Sequence, residues 1–372
     1  MVDGFFSNLL PEGEVRQQIA RRLGVSVGND FGLLTAIGGD CAGAVSLLEP
    51  GTDPTEQVPE EVHWMTERQL AEAVARLPDR PLFLDPDGGI RLSLAGAQHK
   101  LPVIVRDGRV GIPMGRTPST HILKAPIGRL EDTVLNEAFC LDLARDLGLD
   151  AAKAEILDAD SQRVLVVERY DRTHDGGEVH RVHQEDFCQA LGVAPERKYQ
   201  GEGGPGFADS FGLLRSVAAT PARDVLALAD AATQNFLTGN HDAHGKNFSL
   251  LYAPEGTRLA PLYDLVSTVV YPGLSRKMAM KLGGEYRPPY VRRRHIDRFA
   301  DGAGLGPAAV RRRMVRLARA APDVASDVLH RYREDGRAKP ILERVVDTID
   351  QRATHLEREL GSSPNTDVEA LG

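Results

Sequence analysis

The apolar residues of this chain change rhythm part-way along it. From Pro81 to about residue 170 they come in short runs rich in branched side chains, and beyond Gln184 they recur at helical spacing. Ile90–Leu94, Leu101–Val105, Val110–Ile112 and His121–Lys124 read as strands, with Asp107-Gly108 as a hairpin turn and Pro126 as a stop. One helix interrupts them over Thr133–Leu147, with Val134, Ala138, Leu141 and Leu147 as its apolar stripe and Gly148 at its end. Ala154–Leu157 and Arg163–Glu168 form a further strand pair around Asp160-Ser161. Then come helices over Glu185–Gly192, Phe211–Ala219, Asp224–Leu237, Val310–Ala318, Ala325–Tyr332 and Leu342–Leu360. A strand-rich segment followed by a helical one gives an α+β class. It fits a two-lobed enzyme and many other α+β proteins, so architecture alone names no activity.

Ahead of this lies a smaller region. Val15, Ile19 and Leu23 recur at helical spacing and stop at Gly24, Ala42–Leu48 reads as a short strand, and Glu49–Pro59 as a linker. Thr66 with Gln69 is a capping box for a helix reaching Arg76. The expected division is an N-terminal subdomain over 1–80, a strand-rich lobe over 81–171, a helical lobe over 172–360, and a small, polar, acidic tail over 361–372 expected to be disordered.

A net charge of −8 argues against non-specific nucleic-acid binding, and the runs Arg292–Arg294 and Arg311–Arg313 read as solvated helix faces. No stretch reaches the ~18 apolar residues that span a bilayer, and no signal peptide is visible. Cys41, Cys140 and Cys188 match no disulfide or zinc spacing and read as small core residues. These features together predict a cytoplasmic protein with no membrane partner.

The strongest chemical signal is Gly239-Asn240-His241-Asp242-Ala243-His244-Gly245-Lys246-Asn247-Phe248. Protein kinases place a proton-accepting Asp and a metal-binding Asn five positions apart on one loop, as Asp242 and Asn247 stand here. A hairpin (Phe248–Tyr252, Leu259–Leu262) would return a second carboxylate, Asp264 of Tyr263-Asp264-Leu265, to the same place. Oxygen donors of this kind suit Mg²⁺. The competing readings are a turn-forming Asp242 and a zinc site with His241 and His244, for which no fourth ligand is apparent.

Phosphate handling falls to the strand region. Ser93 to Lys100 lies between two strands and includes Ala95, Gly96, Ala97, Gln98 and His99; it is either an ordinary hairpin turn or a phosphate loop. Lys124 in its apolar strand is either a phosphate-binding cation, with Glu137 as the candidate partner that orients it, or an edge-strand lysine reaching water. Glu168, Arg169, Tyr170 and Asp171 are either a strand end or the connection whose backbone meets adenine and whose Asp171 reaches ribose.

With Phe5–Gly13, Ser93–Lys100, His121–Lys124, Val167–Arg172, Gln184–Asp186, Lys198-Tyr199, Gly203–Gly206, Asp242–Asn247 and Tyr263–Leu265 in this order, the chain resembles the HipA toxin kinases of bacterial toxin–antitoxin systems. The resemblance implies a two-lobed protein-kinase-like (PI3/4-kinase-like) fold, with 1–80 as a HipA-type N-terminal subdomain. It implies an ATP- and Mg²⁺-dependent serine/threonine kinase. Asp242 would be the proton acceptor, and Asn247 and Asp264 the metal ligands. Lys124 and the 95–100 backbone would contact phosphates and Glu168–Tyr170 adenine, while His244, Lys246 and Tyr263 would line the nucleotide site. Ser93 would be autophosphorylated. A HipB-like helix-turn-helix antitoxin would be the partner, reaching DNA on the kinase's behalf. Glutamyl-tRNA synthetase would be the target, with arrest of translation, growth arrest and persistence as the outcome. The sequence departs from the family in two places: the Phe5 motif is expected to follow further strands, and His99 stands where many members carry Glu. Two other readings stand beside this one. A small-molecule phosphotransferase of the aminoglycoside or choline type would carry His-Gly-Asp in place of Asn240-His241-Asp242, and an inactive, kinase-like corepressor would not need the intact polar set.

Overall fold

The computed structural model describes residues 2–48, 50–53, 56, 58–77, 98–160 and 162–361. In chain order it comprises α1 (Val2–Ser7), α2 (Gly13–Leu23), α3 (Asp30–Ile37), β1 (Val62–Trp64), α4 (Glu67–Arg76), β2 (Lys100–Arg106), β3 (Arg109–Pro113), β4 (His121–Lys124), α5 (Thr133–Asp146), β5 (Ala154–Ala159), β6 (Gln162–Glu168), β7 (Arg172–Asp175), β8 (Glu178–Arg181), β9 (His183–Asp186), α6 (Phe187–Ala190), α7 (Phe207–Val217), α8 (Pro221–Thr238), β10 (Ser249–Ala253), β11 (Gly256–Leu259), α9 (Arg293–Gly302), α10 (Pro307–Glu334) and α11 (Pro340–Gly361).

Two compact units share these elements. The first holds Met1–Ala138, Ala152–Glu196 and Ser249–Pro261; the second holds Phe139–Ala151, Arg197–Phe248 and Leu262–Gly372. Their borders differ from a simple cut at residue 171. Strand β10 pairs with β9, which draws Ser249–Pro261 into the first unit. Ala151 bridges to Leu262 and Asp150 accepts a hydrogen bond from Leu262, which draws Phe139–Ala151 into the second.

In the first unit an antiparallel sheet runs β1-β3-β2-β4-β6-β5. The β2–β3 turn has Asp107 at φ 53° and Gly108 at φ 71°, the double positive φ that a two-residue hairpin of this twist requires. Leu101, Val103, Leu123, Val164 and Val166 bury one sheet face against Leu70, Val74 and Leu77 around α4, which starts at the expected Thr66–Gln69 capping box. The N-terminal helices hold a separate cluster of Leu9, Leu10, Val15, Ile19, Leu33, Ile37 and Cys41.

Some expectations fail for tertiary reasons. Ala42–Leu48 is not a strand; the segment folds back through Leu47 N to Gly38 O and Cys41 N to Val45 O. Glu185–Gly192 is not one helix, because β10 recruits His183–Asp186 as a strand and only Phe187–Ala190 remains helical, capped by Asp186. Val310–Ala318 and Ala325–Tyr332 are one helix, α10, running through Pro322 because Met314, Leu317, Ala321, Ala325 and Val328 keep one buried stripe on both sides of it. The strand expected at Ile90–Leu94 and the tail from residue 362 lie outside the described residues.

The second unit is helical, with α8, α10 and α11 around Leu228, Phe236, Leu317, Leu329, Ile341, Val345 and Ile349. The arginine runs are only partly solvated. Arg313 grips the buried Asp230 at 2.5 and 2.6 Å, Arg311 pairs with Asp297, and Arg292 reaches Glu359 at 2.7 Å. All three cysteines are buried and none forms a disulfide. Among the described residues no helix is long and apolar enough to cross a membrane.

Candidate active site

Helix α8 stops at Gly239, whose φ of 71° lets its N–H cap the helix while the chain turns. A Cβ there would sit 2.4 Å from Val269, since the Thr268 and Val269 N–H groups both donate to the Gly239 carbonyl. That close approach fixes the chain beyond Asp264 against the start of the Asn240–Phe248 loop. The loop is built from its own polar groups. Asn240 accepts from Asp242 N, His244 Nδ1 accepts from Lys246 N, and Asn247 Oδ1 accepts from His244 N. Tyr263 closes it by donating to the Lys246 carbonyl at 2.7 Å.

Every residue from Leu228 to Leu251 is buried except Asp242. Asp242 is thus the single exposed carboxylate on a buried, internally bonded loop. Tyr199 donates to Asp242 Oδ1 at 2.8 Å, and its ring meets the His244 ring edge-on with centroids 5.0 Å apart. Asn247 Nδ2 donates to Asp264 Oδ2 at 2.7 Å. Asp242, His244, Lys246, Asn247, Tyr263 and Asp264 are therefore brought together through a continuous set of contacts. Asp264 has φ 57°, the left-handed region that costs most side chains free energy, a strain typical of functional positions.

His241 donates from Nδ1 to the Ser275 carbonyl, leaving Nε2 toward Arg352. Burial, together with the charges of Arg352 and Arg276, outweighs the hydrogen bond to Ser275 and pushes it below its ordinary pKa.

The first unit carries a second polar group. Lys124 on β4 is buried and meets Glu137 of α5 at 2.5 Å. Lys100 is its cross-strand partner, so two ammonium-bearing side chains share one sheet face. Like charges so placed are unfavourable without an anion beside them, and the Glu137 carboxylate is one. Gln98 donates to the Ala125 carbonyl and His99 accepts from Ala125 N, tying the end of the preceding loop beside Lys124. Ser93, Ala95, Gly96 and Ala97 lie outside the described residues.

Two expected nucleotide contacts are corrected. Asp171 does not offer itself to a ribose: it is buried and accepts from Gly43 N at 2.6 Å, Arg169 at 2.8 and 2.9 Å and Gln184 at 3.1 Å. Arg169 is likewise consumed, donating also to Ser119 and the Cys41 carbonyl. With Asp40 and Arg172 they form a buried ion cluster that ties residues 40–43 to the β6–β7 connection. The Glu168 and Arg169 N–H groups are spent on Lys153 and Thr120 carbonyls, and Tyr170 is bonded to Gln184. Sequence reasoning missed Asp40, Arg172 and Tyr199; Arg172 and Tyr199 appeared there only inside motifs, with no role of their own attached.

A family model described as HipA-like C-terminal domain matches residues 92–325, and one described as HipA N-terminal domain matches residues 1–48. The chain belongs to the HipA kinase family. A HipA relative, the serine/threonine-protein kinase toxin HipA of Shewanella oneidensis, is 35% identical over 344 residues, 87% of this chain and 76% of that protein. Y4mE of Sinorhizobium fredii is 49% identical over 329 residues, 87% of this chain and 78% of its own length. The solved complex of Shewanella oneidensis HipA with HipB and operator DNA aligns at a TM-score of 0.79 and 31% identity, over 97% of this chain and 85% of that one. HipA membership makes the chain a kinase of a toxin–antitoxin family, with a strand-rich and a helical part as expected.

Proposed function

We propose that the chain transfers the γ-phosphate of ATP to a serine or threonine hydroxyl of a protein, with Asp242 accepting the hydroxyl proton. The observation that carries this reading is Asp242 itself, the one exposed residue on an otherwise buried loop whose far end pairs Asn247 with Asp264. A carboxylate and a side-chain amide in contact are hard oxygen donors that fit Mg²⁺, so Asn247 and Asp264 would hold it. Bound there, the ion would neutralise charge on the phosphates. Lys124, steadied by Glu137, and Lys100 would hold the phosphates, assisted by the backbone from residue 95 to His99. The Glu168–Tyr170 segment would contribute backbone groups other than the Glu168 and Arg169 N–H, and not the Arg169 or Asp171 side chains, to the base. His244, Lys246 and Tyr263 would keep the loop in shape.

By family likeness the kinase acts as a growth-arresting toxin on a translation enzyme such as glutamyl-tRNA synthetase. A HipB-like DNA-binding antitoxin neutralises it, and Ser93 is its autophosphorylation site. Phosphate at Ser93 would place nearly two negative charges on a loop meant for another phosphate and switch the enzyme off. The test is incubation with labelled ATP, Mg²⁺ and cell lysate, beside the Asp242→Asn variant. The expected result is label on a protein and loss of transfer and growth arrest in the variant. Label on a metabolite, or a variant as toxic as the parent, would refute the assignment.

A further inference from the structure

One segment of the second unit is fastened to both flanks of Asp242. At one end the Ser275 carbonyl accepts from His241, the residue next to Asp242. At the other, Lys281 N donates to Gln200 Oε1 at 2.7 Å, and Gln200 follows Tyr199, whose hydroxyl holds Asp242. Between these anchors the strap buries Ala279 and Met280 and exposes Arg276, Lys277 and Lys281. None of these three side chains forms an ion pair among the described residues; Arg276 donates to the Val269 carbonyl, and Lys281 lies 5.0 Å over the Tyr286 ring. Lys198 adds a fourth cation, its Nζ 5.6 Å from the centre of the Tyr199 ring. The acids close in sequence are Glu196, two positions before Lys198, Glu202, just past Gln200, and Glu285, which is bonded to Arg287. A chain with net charge −8 thus carries three exposed positive groups on a segment fastened to the neighbours of Asp242, and a fourth beside Tyr199.

ATP is not the natural occupant of this patch. The strap is tied to His241 and Gln200, at the Asp242 end of the loop, whereas Asn247 and Asp264 meet at the other end. What approaches Asp242 is the hydroxyl that gives up its proton. We propose that the Ser275–Lys281 strap, with Lys198, is the docking surface for the acceptor protein and selects serine or threonine segments flanked by acidic residues. This rests on Asp242 being the proton acceptor. Exposed charges arranged this way set specificity and capture more than raw affinity.

The experiment compares serine-centred peptides flanked by Glu, by Gln or by Lys, with the full chain, ATP and Mg²⁺. The parent is expected to take the Glu-flanked peptide at least about tenfold better in kcat/KM than the Gln-flanked one, and to lose that margin in high salt. The Lys277→Glu/Lys281→Glu variant is expected to reverse the order and accept the Lys-flanked peptide. Equal rates for the three peptides in the parent, or no transfer to the acidic one, overturns the inference. Asp242→Asn is assayed alongside. If it abolishes transfer while the parent shows no charge preference, only this inference falls; if transfer survives it, the reading of Asp242 falls instead.

Discussion

At the scale of single residues, Tyr199 and Glu137 make the sharpest claims. Tyr199 holds the Asp242 carboxylate in one direction through a charge-assisted hydrogen bond. Tyr199→Phe keeps the ring against His244 and removes only the hydroxyl. It is expected to lower kcat by about tenfold, the size of one such bond, while KM for ATP stays within about twofold. Steady-state kinetics checks this, and a change confined to KM would contradict it. Glu137→Ala removes the carboxylate that meets a buried ammonium. Its expected cost is about 3 kcal/mol in chemical denaturation, together with weakened ATP binding. The sequence made Asp242, Asn247 and Asp264 legible because two of them lie on one short loop and the third is returned by a hairpin with clear turn signals. Tyr199 lies 43 positions from Asp242, and no local pattern records such a meeting.

Among elements, the cluster that locks residues 40–43 to the β6–β7 connection answers to pH. Burial raises the Asp40 pKa, but the charges of Arg169, Arg172 and Arg181 outweigh it and hold the carboxyl down at about 2. Unfolded, the same group titrates near 3.9. A depressed folded value means the stabilisation is complete above about pH 4 and drains away as pH falls toward 2, worth roughly 2 kcal/mol in all. Denaturant titrations across that interval should show the loss, and Asp40→Asn should flatten it. The elements themselves were largely readable: the capping box at Thr66, the Asp107-Gly108 hairpin and β4 stand where pattern put them. The failures came where distant partners decided the outcome. His183–Asp186 became a strand because β10 was available, and Pro322 failed to end α10 because the buried stripe continues past it.

For the molecule as a whole, sequence order and compact units do not coincide. A cut after residue 171 looks natural in the sequence, yet even a fragment extended to Glu196 leaves β9 without the β10–β11 pair that completes its small sheet. The fragment 1–196 is expected to be protease-sensitive. Joining 249–261 to it through a short linker should restore resistance, as read by limited proteolysis and circular dichroism. A fully resistant 1–196 fragment would mean that the strand pairing contributes little. Family membership follows the same logic, since the HipA-like C-terminal match over 92–325 runs across both units and belongs to neither alone.

The backbone at Asp264 has an evolutionary consequence. At φ 57° the chain tolerates aspartate, asparagine and glycine and little else. Asparagine and glycine are each a single nucleotide away from aspartate, and both are uncharged. On the role proposed for Asp264, a lineage burdened by the proposed activity could thus disarm the protein in one mutational step without unfolding it. Inert but well-folded copies should accordingly turn up among its descendants.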